Sequence, residues 1–307
     1  MQEYFYHLFG LKVVSEMELP EPEPWLCGSP DEADVRIELG PLPKNVQRVI
    51  DEAGSKWIGL IDETDFWFAS PGGHYYITDG TRILVDTKTA LNVLNTRVFL
   101  LGSAFGMLLI QRGLMPVHGG SVLRGGHAVI IGGDTGAGKS TVTSAVLKHA
   151  GVRFLADDVS ALEVGSDAIF VRPAYPQRKL CRDAALAQGY DLTTLHSLKE
   201  QAGERDKFAI RSAEDWCGEP APLGAIVEIV PDKEAKDVTL ERVSGHDSLN
   251  LVVRNLYRHF VHFMQGTPPE RMKKCLLIAS KTPVYQLRRP AVGDHVGAMT
   301  EQILALL

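Results

Sequence analysis

Cysteine is scarce in this 307-residue sequence. The four cysteines lie far apart, form no C-x-x-C pair and have no histidines at zinc-finger spacing; they are Cys27, Cys181, Cys217 and Cys275. Disulfide frameworks and structural zinc sites need more closely spaced sets of these residues. We therefore expect reduced structural thiols.

An excess of positive charge is also missing. The sequence has 32 lysines and arginines against 38 aspartates and glutamates, which gives a formal net charge of -6. Nucleic-acid binding as a main activity needs clustered cations, because the phosphate backbone is the principal contact. The balance of charge therefore argues against a nucleic-acid partner.

Long hydrophobic runs and export signals are absent from the pattern as well. The amino terminus carries acidic residues early and has no basic segment followed by an apolar one. The most apolar stretch, Val98–Ile110, has 13 residues, fewer than the roughly 20 that span a bilayer. We predict a cytoplasmic protein with no membrane partner, in which this stretch is a buried helix.

The first 88 residues or so have the pattern of short strands. Runs such as ADVRIEL, FWFAS, HYYIT and RILVDT alternate with proline and glycine clusters. Asp79-Gly80 between two runs is typical of a tight hairpin turn. We expect an antiparallel sheet, followed by a helix over residues 89–112 that Gly113 ends.

After this helix the pattern changes to alternating strands and helices. VHGGSVLRGGHAVIIGG predicts a hairpin that leads into a buried strand, and a helix over Lys139–His149 and a strand VRFLADDVSALEV follow. This order is typical of nucleotide-binding α/β folds. Further on we expect a strand AIVEIV, an amphipathic helix over Ser248–Met264, a strand PVYQL and a terminal helix.

The segment between the buried strand and its helix carries a phosphate-binding motif. Its eight residues fit G-x-x-x-x-G-K-[ST] in full, and they are Gly133, Asp134, Thr135, Gly136, Ala137, Gly138, Lys139 and Ser140. Glycines let backbone N–H groups and the helix amino terminus point at phosphate oxygens. Lys139 supplies a charge for the β and γ phosphates, Ser140 a hydroxyl for Mg²⁺, and Thr141 continues the site.

Two adjacent aspartates follow on the next predicted strand. Phosphate-loop proteins usually place one carboxylate at such a strand end to hold Mg²⁺, and here Asp157 and Asp158 stand together. Neighbouring strand residues point to opposite sides. One aspartate can therefore face the metal while the other reaches the attacking group; the alternative is one metal-linked and one solvated aspartate.

One histidine precedes the phosphate loop. His118 lies 21 positions before Lys139, at the start of the predicted hairpin. A lone histidine there is usually structural, but an imidazole near an aspartate can control a proton near neutral pH.

Taken together, these motifs resemble those of the HPr serine kinase/phosphorylase family. V-H-G, G-D-T-G-A-G-K-S and L-A-D-D occur in the family's order and spacing. The chain is more similar still to HPr-kinase-related proteins encoded near bacterial peptide-modification genes, including lasso-peptide tail kinases. Further matches are F-G-L at 9–11, E-L-P at 18–20, R-G-L-M-P before His118, A-Y-P-Q-R-K-L at 174–180 and a late P-V-Y-Q-L.

The resemblance implies roles for particular residues. His118 and Asp157 would form the acid/base pair, and Asp158 would share Mg²⁺ with Ser140. The family's E-I-R-G-type stretch after the aspartates is missing, and VRPAYPQRKL stands in its place. Arg178 and Lys179 are therefore our candidates to meet phosphate charge, and HPr itself and reverse phosphorolysis are disfavoured.

Several other residues have competing interpretations. Lys207, after Arg205 and Asp206, is either a nucleotide or substrate contact or a solvated charge. We interpret His259 and His262 as packing residues of a helix rather than metal ligands. Trp57, Trp67 and Phe68 are expected in the core. Tyr75 and Tyr76 are expected to pack, the alternative being a sheet edge that accepts a peptide strand.

The sequence thus predicts an α/β protein with a phosphate-loop catalytic domain of the HPr-kinase type at 114–307, preceded by a β-rich domain at 1–113 that recognises the substrate. We expect transfer of the ATP γ-phosphate, with Mg²⁺, to a serine or other hydroxyl of a protein or ribosomally made precursor peptide. The alternatives are a phosphotransferase acting on small molecules and a noncatalytic nucleotide sensor. The sequence leaves the oligomeric state open, a homo-oligomer included.

Overall fold

The computed structural model describes residues 2–26, 28–198, 206–264, 266 and 268–307. It is a mixed α/β structure with several sheets. Its helices are α1 (Lys44–Glu52), α2 (Val93–Phe99), α3 (Phe105–Gln111), α4 (Lys139–Val146), α5 (Arg182–Ala187), α6 (Gly245–Arg254), α7 (His259–His262), α8 (Pro269–Lys281) and α9 (Val296–Leu304). Its strands are β1 (Tyr4–Leu8), β2 (Leu11–Ser15), β3 (Glu23–Pro24), β4 (Val35–Leu39), β5 (Ile58–Ile61), β6 (Asp65–Ser70), β7 (Gly73–Thr78), β8 (Arg82–Asp86), β9 (Met115–Arg124), β10 (His127–Gly133), β11 (Arg153–Ala156), β12 (Val159–Val164), β13 (Ile169–Arg172), β14 (Gln177–Cys181), β15 (His196–Ser197), β16 (Lys207–Arg211), β17 (Ala221–Asp232), β18 (Thr239–Val243) and β19 (Val284–Pro290).

The first sheet is formed by β1 to β8 in the order β3-β1-β2-β4-β8-β7-β6-β5. We expected it to be antiparallel throughout, but β4 is parallel to both of its neighbours, β2 and β8. The chain returns beside β4 only after α1 and three further strands, and such a crossover makes parallel pairing possible. The sheet is therefore mixed.

The hairpin predicted at Asp79-Gly80 is confirmed. Asp79 has φ 55° and Gly80 has φ 64°, the pair of positive angles that a type I′ turn needs between β7 and β8. Because β7 lies between β6 and β8, the alternative of an exposed strand edge at Tyr75 and Tyr76 is wrong.

The aromatic residues expected in the core of this sheet divide into two groups. Trp67 and Phe68 are buried as predicted, but Trp57 is 44% exposed. Trp57 lies just before β5, which is an edge strand with no neighbouring strand on one side, so the Trp57 side chain is partly exposed to solvent. Its expected burial is therefore wrong.

The helical segment after this sheet runs from Val93 to Gln111, with a π-helical turn at Leu100–Ala104 between α2 and α3. It begins four residues later than predicted, because the Asn92 side chain caps the segment by accepting the Asn95 N–H at 2.9 Å. It ends at Gly113, which has φ 77° as expected of a C-cap residue.

This segment is long and apolar enough to cross a membrane by length and composition, but 67% of its most apolar window is buried inside the protein. A core helix of a folded protein has the same properties. Its residues share one hydrophobic cluster with side chains of the first sheet, such as Phe68, and of the second half of the chain, such as Val159. The division near residue 113 therefore remains a prediction, since one core extends across it.

The second sheet has the order β10-β9-β12-β13-β17-β19-β18, and β11 also pairs with β9. The hairpin of β9 and β10 is confirmed, as are the strands predicted in β17 and β19 and the terminal helix α9. β10 is parallel to β17, and β17 is parallel to β19. The loop after β10 therefore lies at the carboxyl ends of parallel strands, where ligands bind in open α/β sheets.

Two predicted elements are interrupted. VRFLADDVSALEV is two strands, β11 and β12, because the chain bends at Asp157-Asp158. The helix predicted over Ser248–Met264 ends at Arg254, and a separate short helix, α7, follows Arg258, whose backbone is left-handed. Both breaks lie next to the site described below.

Candidate functional site

The predicted phosphate loop, residues 133–140, lies between the body of β10 and the first turn of α4. Gly133 has φ 127°, and a Cβ at this position would lie 2.6 Å from the Ile229 carbonyl oxygen. Gly138 has φ 109° and caps α4, which begins at Lys139. Residues with side chains rarely adopt these angles, so the loop depends on glycine at both positions.

Side chains from distant parts of the chain hold the loop in place. The Asn255 Oδ1 accepts the Gly133 N–H at 3.0 Å, and its Nδ2 donates to Glu228 Oε1 at 2.8 Å. On the other side, Arg289 Nε donates to the Ala137 carbonyl at 3.0 Å. The loop is therefore preorganised by residues that no sequence motif identified.

Lys139 lies folded against its own loop. Its Nζ donates to the carbonyl oxygens of Gly133 at 2.6 Å and Asp134 at 3.1 Å. Burial lowers the pKa of Lys139, and the carboxylates of Asp158 and Asp134 offset this only in part. An added phosphate would supply the anionic partner that the ammonium group needs.

The remaining loop residues suit a ligand that approaches from solvent. Asp134, Thr135 and Gly136 are exposed, whereas Ala137 is buried under the loop. Ser140 and Thr141 are partly exposed in the first turn of α4. Their hydroxyl groups are thus at the end of the helix where its dipole favours anions.

His118 and Asp158 lie side by side. His118 on β9 pairs with Val159 of β12, and the Gly119 N–H donates to the Asp158 carbonyl at 3.2 Å. The imidazole Nδ1 is 3.4 Å from Asp158 Oδ1. We expected His118 to face Asp157 instead; adjacent residues point to opposite sides here, and it is Asp158 that points to the histidine.

The His118 imidazole is partly buried: its Nδ1 is inside the protein, and part of the ring is exposed to solvent. Nδ1 is buried, with no hydrogen-bond partner in the described part of the chain, while the side chain as a whole is 35% exposed. Burial lowers the pKa of His118 below its ordinary value, although Asp158 acts in the opposite direction. His118 is therefore neutral near pH 7 and able to accept a proton.

Asp158 is surrounded by cations. Lys179 Nζ lies 3.8 Å from its Oδ2. Burial alone would raise the pKa of Asp158, but Lys179, His118, Lys207 and Lys139 together outweigh it and hold that pKa below its ordinary value. Asp158 is thus a carboxylate near pH 7. Lys207, for which sequence left two interpretations, is one of its neighbours.

Asp157 has a different environment. Its Oδ2 accepts the backbone N–H of Lys179 at 2.8 Å. Burial, together with the negative charge of Asp158, raises the pKa of Asp157 to about 6. Asp157 therefore joins β11 to β14 and titrates near neutrality.

Arg178 does not face the phosphate loop. Only 4% of it is exposed, and its guanidinium donates to Ser144 Oγ at 2.7 Å and, through Nη2, to Ser212 Oγ at 3.1 Å. The alternation of β14 turns Arg178 inward and Lys179 toward Asp158. Lys179 is therefore the residue of that pair next to Asp158, and the expected nucleotide contact of Arg178 stays a prediction.

A cavity of about 150 Å³ opens beside Asp158, between the helical segment 93–111 and a third, three-stranded sheet of order β14-β16-β15. Its polar lining includes Ser103, Lys179, Lys207, Tyr257 and Arg258. Sequence reasoning missed Ser103, Tyr257 and Arg258, because residues of a buried helix and of a helix break carry no motif. Arg205 and Cys27 lie outside the described residues.

The site fits a nucleotide phosphate and suits magnesium. Glycines in left-handed conformations, a half-buried lysine and a helix amino terminus are together suited to hold a phosphate. The Ser140 hydroxyl and the Asp158 carboxylate are oxygen donors of the kind that Mg²⁺ prefers. The described residues contain no group of three or more His, Cys, Asp or Glu side chains placed to hold a metal, and Mg²⁺ in such sites takes most of its ligands from phosphates and water.

No family model matches the sequence, and no curated protein sequence matches it either. Among solved structures, the HPr(Ser) kinase/phosphatase from Coxiella burnetii is similar over 62% of this chain and 92% of its own, with 11% sequence identity and a TM-score of 0.31. This is a distant structural similarity.

Proposed function

We propose that this protein is an ATP-dependent kinase that transfers the γ-phosphoryl group to a hydroxyl of a protein or peptide. The observation that carries the proposal is the His118–Asp158 pair beside Lys139. A phosphate loop alone serves many functions, but a carboxylate–imidazole pair next to its lysine provides a way to remove a hydroxyl proton.

The loop residues would bind the phosphates. Backbone N–H groups of residues 133–138 and the amino terminus of α4 would accept the anionic oxygens, and Lys139 would leave its loop carbonyls for the β and γ phosphates. Mg²⁺ held by Ser140 would neutralise charge on the transferring group. Lys179 and Lys207 add positive charge on the acceptor side.

The His118–Asp158 pair would receive the proton. His118 Nδ1 and Asp158 Oδ1 are 3.4 Å apart and do not form a hydrogen bond in this structure. When substrates are bound, this contact would shorten, so that Asp158 accepts the Nδ1–H and leaves Nε2 as the proton acceptor. The acceptor oxygen then bonds to the γ phosphorus, its proton passes to Nε2, and the bond to the β–γ bridging oxygen breaks to release ADP. His118 is neutral because burial lowers its pKa, so it can accept the proton at pH 7.

The choice between the two aspartates differs from what the resemblance implies. There Asp157 partners the histidine and Asp158 binds the metal. Here Asp158 lies 3.4 Å from His118, whereas Asp157 is bonded to the backbone of Lys179. We therefore assign the proton step to His118 and Asp158, and a positioning role to Asp157.

The acceptor we favour is a small ribosomally made precursor peptide, as the resemblance implies, in the cytoplasm where ATP is supplied. A cavity of about 150 Å³ beside Asp158 has room for a side chain or a chain end. A hydroxyl-bearing side chain of a peptide fits in a cavity of this volume. The first sheet remains the proposed region for recognising the rest of the peptide.

The test is transfer from γ-labelled ATP. The purified chain is incubated with Mg²⁺, labelled ATP and either a pool of serine-containing peptides or a pool of hydroxylated metabolites, and Lys139→Met is run in parallel. We expect label on peptides with the wild type only. Label on metabolites alone would replace the peptide acceptor by a small molecule, and ATP binding with no transfer to either pool would favour a nucleotide sensor.

A further inference from the structure

The cavity beside Asp158 has an excess of positive charge. Its described lining includes three cations, Lys179, Lys207 and Arg258, and the carboxylate of Asp158. Asp158 is already engaged by Lys179 and His118. In the described part of the chain, no carboxylate forms an ion pair with Lys207 or Arg258. A concave site with uncompensated cations attracts anions.

Arg258 has an unusual backbone. It has φ 49° and ψ 54°, the left-handed conformation, directly before the short helix α7. Residues other than glycine adopt this conformation infrequently, and asparagine and aspartate do so more readily than arginine. Such strain persists only where the surroundings fix it, and it is concentrated at binding sites.

The guanidinium of Arg258 is also fixed in place. Its Nη2 donates to Ser103 Oγ at 2.7 Å, and its Cζ lies 5.2 Å from the centroid of the Trp57 ring. Its Nε is buried with no hydrogen-bond partner among the residues that the structure describes. An arginine held by a neutral hydroxyl and an aromatic face keeps its full charge and loses little freedom when it binds an anion.

We propose that Arg258 binds an anionic group of the acceptor, a carboxylate or a phosphate ester, close to the hydroxyl that is phosphorylated. Arg258 would fix the distance between that group and the His118–Asp158 pair, and Lys207, which also lines the cavity, would add positive charge. Arg258 is then a specificity-determining residue: it selects acceptors that carry negative charge and positions their hydroxyl.

This inference rests on the proposed kinase function, and it names the chemistry of the acceptor. The anionic group can belong to an acidic side chain next to the serine, to the free carboxyl end of the chain, or to a phosphorylated neighbour. All three offer oxygen pairs that a guanidinium binds through two parallel hydrogen bonds.

The test compares matched peptides in a binding measurement. Four fluorescein-labelled serine peptides are titrated with the full chain and an ATP analogue that cannot transfer its γ-phosphate: one flanked by aspartates, one with serine at a free carboxyl end, one with a neighbouring phosphothreonine, and an amidated peptide flanked by asparagines. We expect at least one anionic peptide to bind about tenfold more tightly than the neutral one.

Substitutions then identify the residue responsible. Arg258→Asn keeps a residue that tolerates the left-handed backbone and removes the charge, so the preference should disappear. Arg258→Lys should keep part of it, because the charge stays but the paired geometry is lost. Lys207→Gln, on the regular strand β16, should weaken the preference for anionic peptides. Arg242→Asn, on the distant strand β18, should leave that preference unchanged.

The possible results separate this inference from the proposed function. Equal affinity for charged and neutral peptides, including no measurable binding of any, contradicts the inference. So does a preference that survives Arg258→Asn, or a loss that appears only in ATP affinity. Asp158→Asn should keep the preference for anionic peptides while transfer falls by about 10²–10⁴-fold. If the wild type shows this preference but transfers phosphate to no acceptor, the kinase function alone is overturned.

Discussion

The two aspartates at the bend between β11 and β12, Asp157 and Asp158, have different environments. On one side, Asp158 faces an imidazole, three lysines and an open cavity, and the cations around it keep its pKa low. On the other side, Asp157 accepts a backbone N–H of the neighbouring strand β14, and burial raises its pKa to about 6. Two identical side chains, adjacent in sequence, thus have their pKa values shifted in opposite directions by their surroundings.

This difference indicates that the two aspartates have separate roles, because their side chains point to opposite sides of the chain. Neighbouring residues of extended chain point to opposite sides. A substitution at Asp158 therefore removes a carboxylate from the candidate site, whereas a substitution at Asp157 removes a hydrogen bond to β14. The following predictions test this division.

The largest effect is expected for Asp158→Asn. Transfer should fall by about 10²–10⁴-fold, because the amide cannot hold the imidazole in the right tautomer or stabilise its charged form. ATP affinity should change little, since the phosphate loop is intact. Equilibrium binding of a fluorescent ATP analogue and single-turnover transfer measure the two effects separately, and a loss that excess Mg²⁺ repairs would assign Asp158 to the metal instead.

Lys139→Met should reduce ATP affinity and transfer together by about 10²–10³-fold, because the positive charge at the phosphates is removed. Lys148→Met, at an exposed position after α4, is the matched control and should behave as the wild type. Unchanged ATP binding by Lys139→Met would show that the glycine-rich segment is an ordinary turn.

Arg178→Gln should act on stability rather than on nucleotide binding. Its guanidinium is buried between Ser144 and Ser212, and removing it leaves hydroxyl partners unpaired at a cost of about 2–3 kcal/mol. Urea unfolding measures the loss. A raised KM for ATP with unchanged stability would restore Arg178 as a phosphate contact.

Asp157→Asn should change how stability depends on pH. The pKa of Asp157 is raised from 3.8 to about 6 in the folded chain, so the folded state holds this proton more tightly than the unfolded state. Its contribution to the free energy of unfolding is present below pH 4 and is lost as the pH rises to about 6.

The variant cannot ionise at this position. The difference in unfolding free energy between Asp157→Asn and the wild type should therefore shift in favour of the variant by about 1–2 kcal/mol between pH 4 and 7. Parallel urea titrations at several pH values measure the shift. A difference that is the same at every pH would mean that Asp157 ionises as freely in the folded chain as in the unfolded one.

Sequence predicted those parts of the molecule that depend on local backbone geometry. The glycines of the phosphate loop, the Asp79-Gly80 turn and the Gly113 cap all require conformations that few residues adopt, so their identity reveals their structure. Four strands of the first sheet, β4, β6, β7 and β8, were found for a similar reason, since their alternation is local.

Sequence did not predict which side chains would meet. The pairing of His118 with Asp158 depends on the register between β9 and β12, and the inward direction of Arg178 depends on where β14 begins its alternation. Asn255 and Arg258 come to the site because a helix breaks after Arg254. Each of these features is set by packing between distant segments, and a single sequence carries no signal for it.

The most direct measurement compares the two aspartates in one assay. Single-turnover phosphoryl transfer is measured with Asp157→Asn and Asp158→Asn at saturating ATP and Mg²⁺, with the same acceptor. If His118 and Asp158 receive the proton, Asp157→Asn should stay within about tenfold of the wild type, while Asp158→Asn should lose about 10²–10⁴-fold. The reverse order, with Asp157→Asn the more damaging substitution, would contradict this assignment.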